Sequence, residues 1–299
     1  MNLDVSIIIV TYNTLELTKA CIESIITYTK EINYEIILVD NASVDGSMEC
    51  FSTRDDIKYI YSDKNLGFGG ANNIGVKNSN GKYLFLLNSD TLLIENSILK
   101  LKNFHEKHEL EYNIGVLGAT LCNQQLIQGN TAGMFPSVRN YVLDYINLYF
   151  RTNFQTYKKI DFSYLTRVDM VSGADMFLKK ELFVQVNGFD EDYFLYFEET
   201  DLQKRISSLN KLNIVTNSTK IIHLEGASSV ANNWKRKIYQ NSQTLYFRKN
   251  DTVNFYWYVI FEILSSPIRF FNKRYTLNEN LDFLKNNIIK LYENSVIRK

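Results

Sequence analysis

An α/β fold, with a mostly parallel sheet flanked by helices, is the class that this 299-residue sequence predicts. Short apolar runs rich in β-branched residues recur in the first half, as expected for strands buried on both faces. Segments with helical spacing or with turn residues separate these runs. Acidic and amide residues follow several of them directly. This alternation indicates βαβ units, in which ligands bind beyond the carboxyl ends of the strands.

The individual elements follow from the same periodicities. Strands are predicted at 5–10, 35–39, 57–61, 83–87, 114–119, 170–173, 176–178 and 220–222. The spacing of Leu17, Cys21, Ile25 and Tyr28 predicts a helix with Asn13 or Thr14 as N-cap. Further helices are predicted at 181–186, closed by Gly188, and at 200–209. We interpret 123–164, which shows no clear period, as an irregular segment that covers a site.

Composition excludes some classes of protein. Lys and Arg balance Asp and Glu at 33 each, so the chain has no basic field and nucleic acid is not an expected partner. The three cysteines, at positions 21, 50 and 122, are widely spaced and form no CxxC pattern, which indicates buried thiols in a reducing compartment. The apolar run at 5–10 is too short for a signal peptide. We therefore expect a cytoplasmic protein.

Oxygen-bearing side chains follow two predicted strands. Asn88, Ser89 and Asp90 end the strand at 83–87, and Asp40 ends the strand at 35–39. Hard cations such as Mg²⁺ and Mn²⁺ prefer oxygen ligands and keep coordination positions open for phosphate. The alternative is that these residues cap the helices that follow, which for Asp40 is nearly as good an interpretation. For Asp90 the cluster favours a ligand site.

The segment from Gly67 to Asn73 is rich in glycine but does not fit a dinucleotide fingerprint. Asn72 occupies the place of the third glycine, and no acidic residue ends the appropriate strand about twenty residues later. Its glycines more plausibly permit close backbone approach to a ligand, with amides supplied by Asn72 and Asn73. A glycine-rich turn before a helix is the simpler alternative.

A second acidic cluster follows an aromatic run at 193–197. Glu198, Glu199 and Asp201 could be the solvated first turn of a helix, where carboxylates complement the helix dipole. Aromatic walls, however, raise the pKa of a carboxyl group by desolvation, as a general base near neutral pH requires. His223 follows the predicted strand at 220–222, and spacing alone leaves its role undecided.

These motifs together resemble family 2 glycosyltransferases of the GT-A fold, and in particular the rhamnosyltransferase-like branch of bacterial polysaccharide assembly. The resemblance runs in order from about residue 4 to 229. Its motifs are VSIIIVTYN at 5–13, VDNASVDGS at 39–47, NLGFGGAN at 65–72, NSD at 88–90, GADM at 173–176, GFDE at 188–191, EETDL at 198–202 and His223-x-x-Gly226-x-Ser228.

The resemblance implies roles for the donor-binding residues. The residues that would hold the base and ribose of the donor are Thr11, Tyr12, Asn13, Asp40 and Asn41. Those that would line the nucleotide pocket and the end of the strand at 83–87 are Gly67, Gly69, Asn72, Asn88 and Ser89.

The resemblance also implies a metal site and a base. Asp90 matches the final aspartate of the DxD motif that binds Mn²⁺ or Mg²⁺, and His223 matches the histidine that completes the metal or diphosphate contacts. Asn88 replaces the first aspartate of that motif, so one anionic ligand is lost. Glu199 matches the base position, which is usually Asp, and Asp201 is the second candidate.

The function implied is an inverting, metal-dependent transfer of a sugar, with rhamnose as one candidate, from a dTDP- or UDP-sugar. The acceptor would be a hydroxyl of a glycan or lipid-linked oligosaccharide. The QxxRW motif of processive members is absent, because Trp234-Lys235-Arg236 has a different order. One alternative is a binding module that has lost catalysis, suggested by Asn88 and Glu199. A second is a nucleotidyltransferase, which should carry a basic glycine-rich signature near the first strand; residues 11–14 contain no such signature.

We predict a catalytic domain at 1–230 and a helical extension at 231–299. Residues 253–264 are dense in aromatic and aliphatic side chains, with Arg269, Lys273 and Arg274 following. The run is shorter than the roughly 20 apolar residues that span a bilayer, and it suits a helix lying at a membrane interface. A helix packed on the catalytic domain, against the acceptor or in a homodimer is equally compatible. A lipid-linked acceptor would place the chain at the inner face of the plasma membrane.

Overall fold

The computed structural model describes residues 3–154, 164–224, 233–270 and 276–296. Contacts divide the chain into two compact units. Unit 1 comprises Met1–Phe135 and Ile160–Ser242, and unit 2 comprises Pro136–Lys159 and Gln243–Lys299. The helix at 138–150 packs with the C-terminal helices and is grouped with them, and the division after residue 230 stays a prediction.

Unit 1 alternates strands with helices as the sequence predicts. Its strands are β1 (Val5–Thr11), β2 (Tyr34–Asp40), β3 (Lys58–Tyr61), β4 (Tyr83–Asn88), β5 (Thr91–Leu93), β6 (Ile114–Cys122), β7 (Ala132–Gly133), β8 (Thr166–Val168), β9 (Met170–Val171), β10 (Asp175–Lys179) and β11 (Leu212–His223). Its helices are α1 (Leu15–Tyr28), α2 (Ser47–Phe51), α3 (Gly67–Lys77), α4 (Ser97–Tyr112), α6 (Lys180–Gln185) and α7 (Glu198–Ser207).

Unit 2 is helical where the structure describes it. It contains α5 (Val138–Phe150), α9 (Thr252–Phe270) and α10 (Leu277–Val296), and α8 (Asn233–Asn250) contributes its last residues. The Tyr141 hydroxyl on α5 donates to the carboxylate of Glu262 on α9, and the Tyr145 hydroxyl donates to the Ser265 carbonyl oxygen at 3.0 Å. Among the described helices, none combines the length and apolar content needed to cross a bilayer.

The main sheet has the order β3-β2-β1-β4-β10-β6-β11-β5, with β8 also paired to β11. Strands β1 to β4 run parallel, whereas β10 is antiparallel to β4 and β5 is antiparallel to β11. Alternate residues of the buried strands face opposite layers. Ile7 and Ile9 belong to the apolar core formed with α1 and α4, and Ile8 belongs to the core formed with α3, α6 and α7.

The strand directions bring distant parts of the chain to one edge of the sheet. In the parallel strands, Thr11 pairs with Asp40 and Val10 pairs with Asn88, so β1, β2 and β4 end together. The antiparallel β10 begins at this edge, where Asp175 pairs with Leu87. An edge of this kind, beside the first strand, is where α/β sheets bind ligands.

Several details of the prediction need correction. The segment 123–164 is not irregular throughout, because 138–150 forms α5, whose N-cap Ser137 accepts a hydrogen bond from the Asn140 N–H at 3.2 Å. Polar residues within α5 interrupt the repeat of apolar residues that would have predicted a helix there. Neither Asn13 nor Thr14 caps α1 through its side chain; the Asp45 carboxylate accepts from the Leu15 N–H at 2.8 Å instead. Gly226, Ser228, Lys273 and Arg274 lie outside the described residues.

Asp175 is an ionisable group in the middle of the sheet. Its side chain is fully buried, its Oδ2 accepts a hydrogen bond from the Ala119 N–H at 2.7 Å, and its Oδ1 has no hydrogen-bond partner among the described residues. Burial raises the pKa of this carboxyl group well above its ordinary value. The native protein therefore retains a proton at Asp175 over a pH range in which the unfolded chain has lost it.

This retained proton predicts a pH dependence of stability. The free energy of unfolding should fall as pH rises above about 4, where the carboxyl group of the unfolded chain ionises. Asp175→Asn keeps an oxygen that accepts the hydrogen bond from the Ala119 N–H, but its amide does not ionise. The variant should therefore be more stable than the wild type at pH 8. The gain should be about 1.4 kcal/mol for each unit by which the pKa is raised. Urea unfolding from pH 5 to 8 measures this, with the exposed Asp55→Asn as control; parallel profiles for wild type and Asp175→Asn would contradict it.

Candidate active site

A cleft of about 1060 Å³ opens at the edge where β1, β2 and β4 end. It lies within unit 1. Its walls comprise Val10, Tyr12, Asn13, Thr14, Leu15, Glu16, Leu17, Asn41, Asp45, Asn65, Gly67, Phe68, Asn88, Ser89, Asp90, Phe194, Leu195, Trp234 and Lys235. Many of these side chains come from the segments that the sequence singles out, and the last four come from much later in the chain.

The wall next to β2 is held in place by asparagine side chains. Asn41 accepts a hydrogen bond from the Leu66 N–H at 2.8 Å through its Oδ1. Its Nδ2 donates to the Asn65 Oδ1 at 2.9 Å and to the Gly67 carbonyl oxygen at 3.2 Å. Asn13 binds the neighbouring loop, because its Oδ1 accepts from the Val44 N–H at 2.8 Å. These contacts fix the backbone around the cleft before any ligand binds.

Two of the predicted donor-binding residues lie below this surface. Thr11 and Asp40 are fully buried. The Asp40 carboxylate accepts hydrogen bonds from the Ser43 N–H at 2.8 Å and from the Tyr59 hydroxyl at 2.7 Å. In this structure Asp40 therefore shapes the loop that follows β2, and direct contact with a ribose remains a prediction.

The glycine-rich segment forms the start of α3 and lies against the segment before α7. Gly67 has φ +76°, and a Cβ on it would lie 1.9 Å from the Phe194 carbonyl oxygen. A Cβ on Gly69 would lie 2.9 Å from that of Phe189. The close backbone approach that the sequence predicts is thus made by the chain itself. Gly67 also reaches the cleft wall, whereas Gly69 and Asn72 are buried and are not among its lining residues.

At the end of β4, Asp90 is brought beside His223. Strand β11 runs antiparallel to β5, with His223 opposite Thr91, and the Leu224 N–H donates to the Asp90 carbonyl oxygen at 2.9 Å. The Asp90 Oδ1 lies 3.3 Å from the His223 Nε2, and both side chains are about one-seventh exposed. Ser89 shares a hydrogen bond of 3.1 Å with the Thr14 hydroxyl, and Asn88 lines the cleft.

This pair fits a hard divalent cation that keeps positions open for a ligand. A carboxylate and an imidazole supply one oxygen and one nitrogen donor, and Asn88 lies on the same wall. The described residues contain no cluster of three or more His, Cys, Asp or Glu side chains arranged for a metal.

The first turn of α7 places two glutamates in different environments. Glu198 is buried, and its Oε2 has no hydrogen-bond partner among the described residues. Burial, with the nearby charge of Glu199, raises the pKa of Glu198 well above its ordinary value. Glu199 is partly exposed and packs over Gly173, whose Cβ would lie 3.4 Å from its Cγ. Desolvation by the surrounding protein raises the pKa of Glu199 as well.

Asp201, the other candidate base, is already paired. It is buried, its Oδ2 accepts a hydrogen bond from the Arg205 Nε at 2.8 Å, and the same oxygen lies 2.8 Å from the Arg205 Nη2 in an ion pair. Arg205 also donates to the Val186 carbonyl oxygen. Asp201 thus ties α7 to the end of α6, and Glu199 is the more available of the two carboxylates.

Gly173 and Ala174 connect Glu199 to the sheet edge that bears Asp90. Gly173, on which Glu199 packs, is followed by Ala174, whose carbonyl oxygen accepts from the Asn88 N–H at 3.0 Å. A carboxylate with a raised pKa and an Asp–His pair are therefore held to the same strand end. This arrangement can bind an activated phosphate ester and remove a proton from a second substrate.

Comparison with known proteins identifies the family. The family model described as Glycosyl transferase family 2 matches residues 6–182, which is more than half of the chain. The chain belongs to glycosyl transferase family 2. The match contains the β1 and β2 motifs and Asp90, whereas Glu199 and His223 lie beyond it. It confirms the family that the motifs resemble and decides against the nucleotidyltransferase alternative.

The relatives include named transferases of sugars. The low-salt glycan biosynthesis hexosyltransferase Agl10 of Haloferax volcanii is 27% identical over 202 residues, which cover 66% of this chain and 60% of the relative. Rhamnosyltransferase WbbL of Escherichia coli is 26% identical over 214 residues, 68% of this chain and 76% of the relative. This chain thus spans less than two thirds of the length of the Haloferax volcanii relative.

A solved structure confirms the fold. GalNAc-T7, crystallised with UDP, GalNAc and Mn²⁺, superimposes with a TM-score of 0.61 at 15% identity, over 95% of this chain and 54% of that chain. At this identity the likeness concerns the fold alone. It agrees with the GT-A architecture that the family 2 motifs imply.

Sequence reasoning missed the part of the cleft contributed by later residues of this family 2 chain. Phe194, Leu195, Trp234 and Lys235 line the cleft, but none of them was assigned a role in binding. The aromatic run at 193–197 was a signal, since it is too apolar for a surface loop. Nothing in the local sequence places the start of α8 beside a cleft built from β1, β2 and β4.

Proposed function

We propose that this chain is an inverting, metal-dependent, non-processive glycosyltransferase that uses a nucleotide-diphosphate sugar. The observation that carries the proposal is the link from Glu199 through Gly173 and Ala174 to the strand end that bears Asp90. One base and one diphosphate site at a single edge suit one in-line displacement. Retaining glycosidases instead use two carboxylates about 5 Å apart.

Each step of the displacement has a residue assigned to it. Asp90 and His223 would hold Mn²⁺ or Mg²⁺, which when bound stabilises the negative charge of the leaving diphosphate. Glu199 accepts the proton of the acceptor hydroxyl as its oxygen bonds to the anomeric carbon. The bond from that carbon to the diphosphate breaks at the same time, and its electron pair leaves with the nucleoside diphosphate. Lys235, on the cleft wall, is a further cation near the donor.

The substrates are proposed from the relatives. A relative named as a rhamnosyltransferase supports rhamnose among the candidate sugars. A relative named for glycan biosynthesis supports a hydroxyl of a growing glycan as the acceptor. The proposal adds dTDP or UDP as the nucleotide and a lipid as the carrier of the glycan. The exposed ring of Tyr12 offers stacking to a nucleobase, and the exposed Asn13 offers polar atoms to the base or ribose, whereas the amide of Asn41 is already bonded to Leu66, Asn65 and Gly67.

The alternative is a donor-binding module that has lost catalysis. Its support is Asn88 at the first position of the acidic motif and Glu199 where aspartate is usual. Hydrolysis or transfer of a bound donor separates it from the enzyme, because both would bind nucleotide.

The first test of the proposal is a screen for the donor. Wild-type protein and Asp90→Ala are heated with dTDP-, UDP- and GDP-sugars, each with and without MnCl₂. A donor at a hundredfold excess over its Kd should stabilise the wild type by about 2.7 kcal/mol. Asp90→Ala should lose the metal-dependent part, because Asn88 and Ser89 are neutral and weak ligands. Equal stabilisation with chelator and with MnCl₂ would rule out the metal site.

The second test concerns the base. Glu199→Gln should bind the selected donor normally but transfer or hydrolyse it about 10²-fold more slowly, since an amide accepts no proton. Asp201→Asn, the matched control, should lose stability through Arg205 and retain most of the rate. In the wild type, the rate should fall with decreasing pH at a pH above the ordinary glutamate range, because Glu199 must be ionised to act. Full activity of Glu199→Gln, with Asp201→Asn inactive, would assign the base to Asp201.

We also propose that unit 2 binds a membrane surface through α9. Val253, Trp257, Ile260 and Leu264 are all exposed and lie on one face of that helix. Phe255, Tyr258, Val259 and Glu262 are buried on its other side. The basic residues Arg248 and Lys249, exposed at the end of α8, add charge that attracts anionic lipid. An apolar face with tryptophan and flanking cations suits an anionic bilayer surface.

Surface substitutions test this contact better than truncation. Removing the chain after Asn250 would expose α5 and the end of α8, since Tyr141 and Phe247 pack on Tyr258 of α9. The double change Trp257→Glu and Leu264→Glu should lower the partition coefficient for phosphatidylglycerol vesicles, measured by sedimentation, by about 10²- to 10⁴-fold, because burial of each side chain contributes about 1.5–3 kcal/mol. Leu110→Glu, on the fully exposed Leu110 of α4, is the control. If the wild-type protein does not sediment with the vesicles, and if it forms a dimer that the double change dissociates, this face of α9 instead contacts a second copy of the chain.

A further inference from the structure

The backbone immediately before the candidate base is strained. Tyr196 has φ +68° and Phe197 has φ +70°, and Glu198 begins α7 directly after them. The left-handed region is unfavourable for residues with large side chains, because the Cβ lies too close to the following carbonyl oxygen. Two such residues in succession persist only where the surrounding structure holds them. The segment 194–197, here called the base turn, therefore depends on its neighbours.

One helix contacts all four residues of the base turn. The Tyr239 ring on α8 meets Tyr196 with a centroid separation of 5.6 Å and Phe197 at 5.2 Å, both edge to face. The Ser242 hydroxyl donates to the Leu195 carbonyl oxygen at 2.8 Å. Trp234 meets Phe194 with a centroid separation of 6.1 Å. All of these residues belong to unit 1.

A second set of contacts holds the other side of the base turn. The Phe68 N–H donates to the Phe194 carbonyl oxygen at 3.2 Å, where Gly67 leaves room for it. The turn also continues into α7, because the Phe197 carbonyl oxygen accepts from the Asp201 N–H at 2.8 Å. A change in the dihedral angles of Tyr196 or Phe197 must consequently move the first turn of α7 and Glu199 with it.

We propose that Tyr239 and Ser242 are positioning residues for the reaction. They hold the base turn in its strained conformation and so fix the Glu199 carboxylate over Gly173. Tyr239 acts through the faces and edges of its ring, and Ser242 acts through its hydrogen bond to Leu195. The inference rests on the proposed role of Glu199 as the base. Helix α8 lies beyond the segment that matches the family model, and the inference gives two of its residues a role in placing the base.

Rival purposes for these contacts predict different behaviour. If α8 served only to stabilise unit 1, changes at Tyr239 would lower the melting temperature without affecting the turnover of folded protein. If Tyr239 bound the donor, they would raise KM. A positioning residue lowers kcat and leaves nucleotide affinity unchanged, since a displacement of about 1 Å in a reacting group can cost about 10²-fold.

The test compares Tyr239→Ala, Tyr239→Phe and Ser242→Ala with Lys237→Ala, an exposed residue of the same helix, as control. Hydrogen exchange of 194–201 is measured together with UDP and dTDP affinity in MnCl₂, and with hydrolysis of UDP-glucose and dTDP-rhamnose. Tyr239→Ala should accelerate exchange of that segment and lower kcat about 10- to 100-fold at unchanged KM and nucleotide Kd. Ser242→Ala should do the same more weakly, and Tyr239→Phe should restore the wild-type values.

The exchange measurement separates this inference from the proposed function. Unchanged exchange in Tyr239→Ala overturns the inference whatever the turnover. Faster exchange with unchanged kcat also overturns it, provided that Glu199→Gln is inactive. If Glu199→Gln retains the wild-type rate, the proposed base has failed, and the catalytic purpose assigned to Tyr239 and Ser242 fails with it.

Discussion

The absence of a side chain at Gly67 is the constraint on which the rest of the site depends. The Phe194 carbonyl oxygen lies where a Cβ of residue 67 would be, so the start of α3 and the base turn meet backbone to backbone. Asn41 and Asn65 hold the loop that presents Gly67. The same approach makes Phe194 and Leu195 part of the cleft wall and sets where α7 begins. The cleft wall and the start of α7 are therefore connected through the contact between Gly67 and Phe194.

The environment of each carboxyl group, and not its residue type, decides what it can do. Asp175 is sealed inside the sheet and holds its proton, Asp40 is committed to Ser43 and Tyr59, and Asp90 remains at an accessible strand end beside His223. The first turn of α7 repeats this division on a smaller scale. Glu198 is buried, Glu199 lies over a glycine, and Asp201 is paired with Arg205. Among the carboxyl groups of the sheet, Asp90 is the one that keeps some exposure, and in the first turn of α7 it is Glu199. These two are therefore the ones suited to ligand binding or proton transfer.

The local sequence pattern predicted most of the longer strands of unit 1 and the helices α1, α6 and α7, but not the short strands β5, β7 and β8 or helix α2. Buried parallel strands are recognisable because both of their faces are apolar, as in 5–10 and 83–87. The capping of α1 was not predictable, because its partner Asp45 comes from the loop after β2 and competes with the adjacent Asn13 and Thr14. Helix α5 was missed because polar residues interrupt its apolar face, whose partners, such as Tyr258, lie more than a hundred residues away.

The sequence by itself determined the family, the order of the elements and the identity of the residues gathered at the strand ends, because motifs and periodicities are local. It named Asp90, His223 and Glu199 as candidates, with Asp201 as the second candidate for the base. Tertiary structure adds the packing of Glu199 on Gly173, which supports the same order, as does the pair that Asp201 forms with Arg205 within α7. It also decided that the glycines of α3 receive the chain's own backbone, and that α8 contacts the base turn. Both depend on close approach between segments distant in sequence, which no local pattern records.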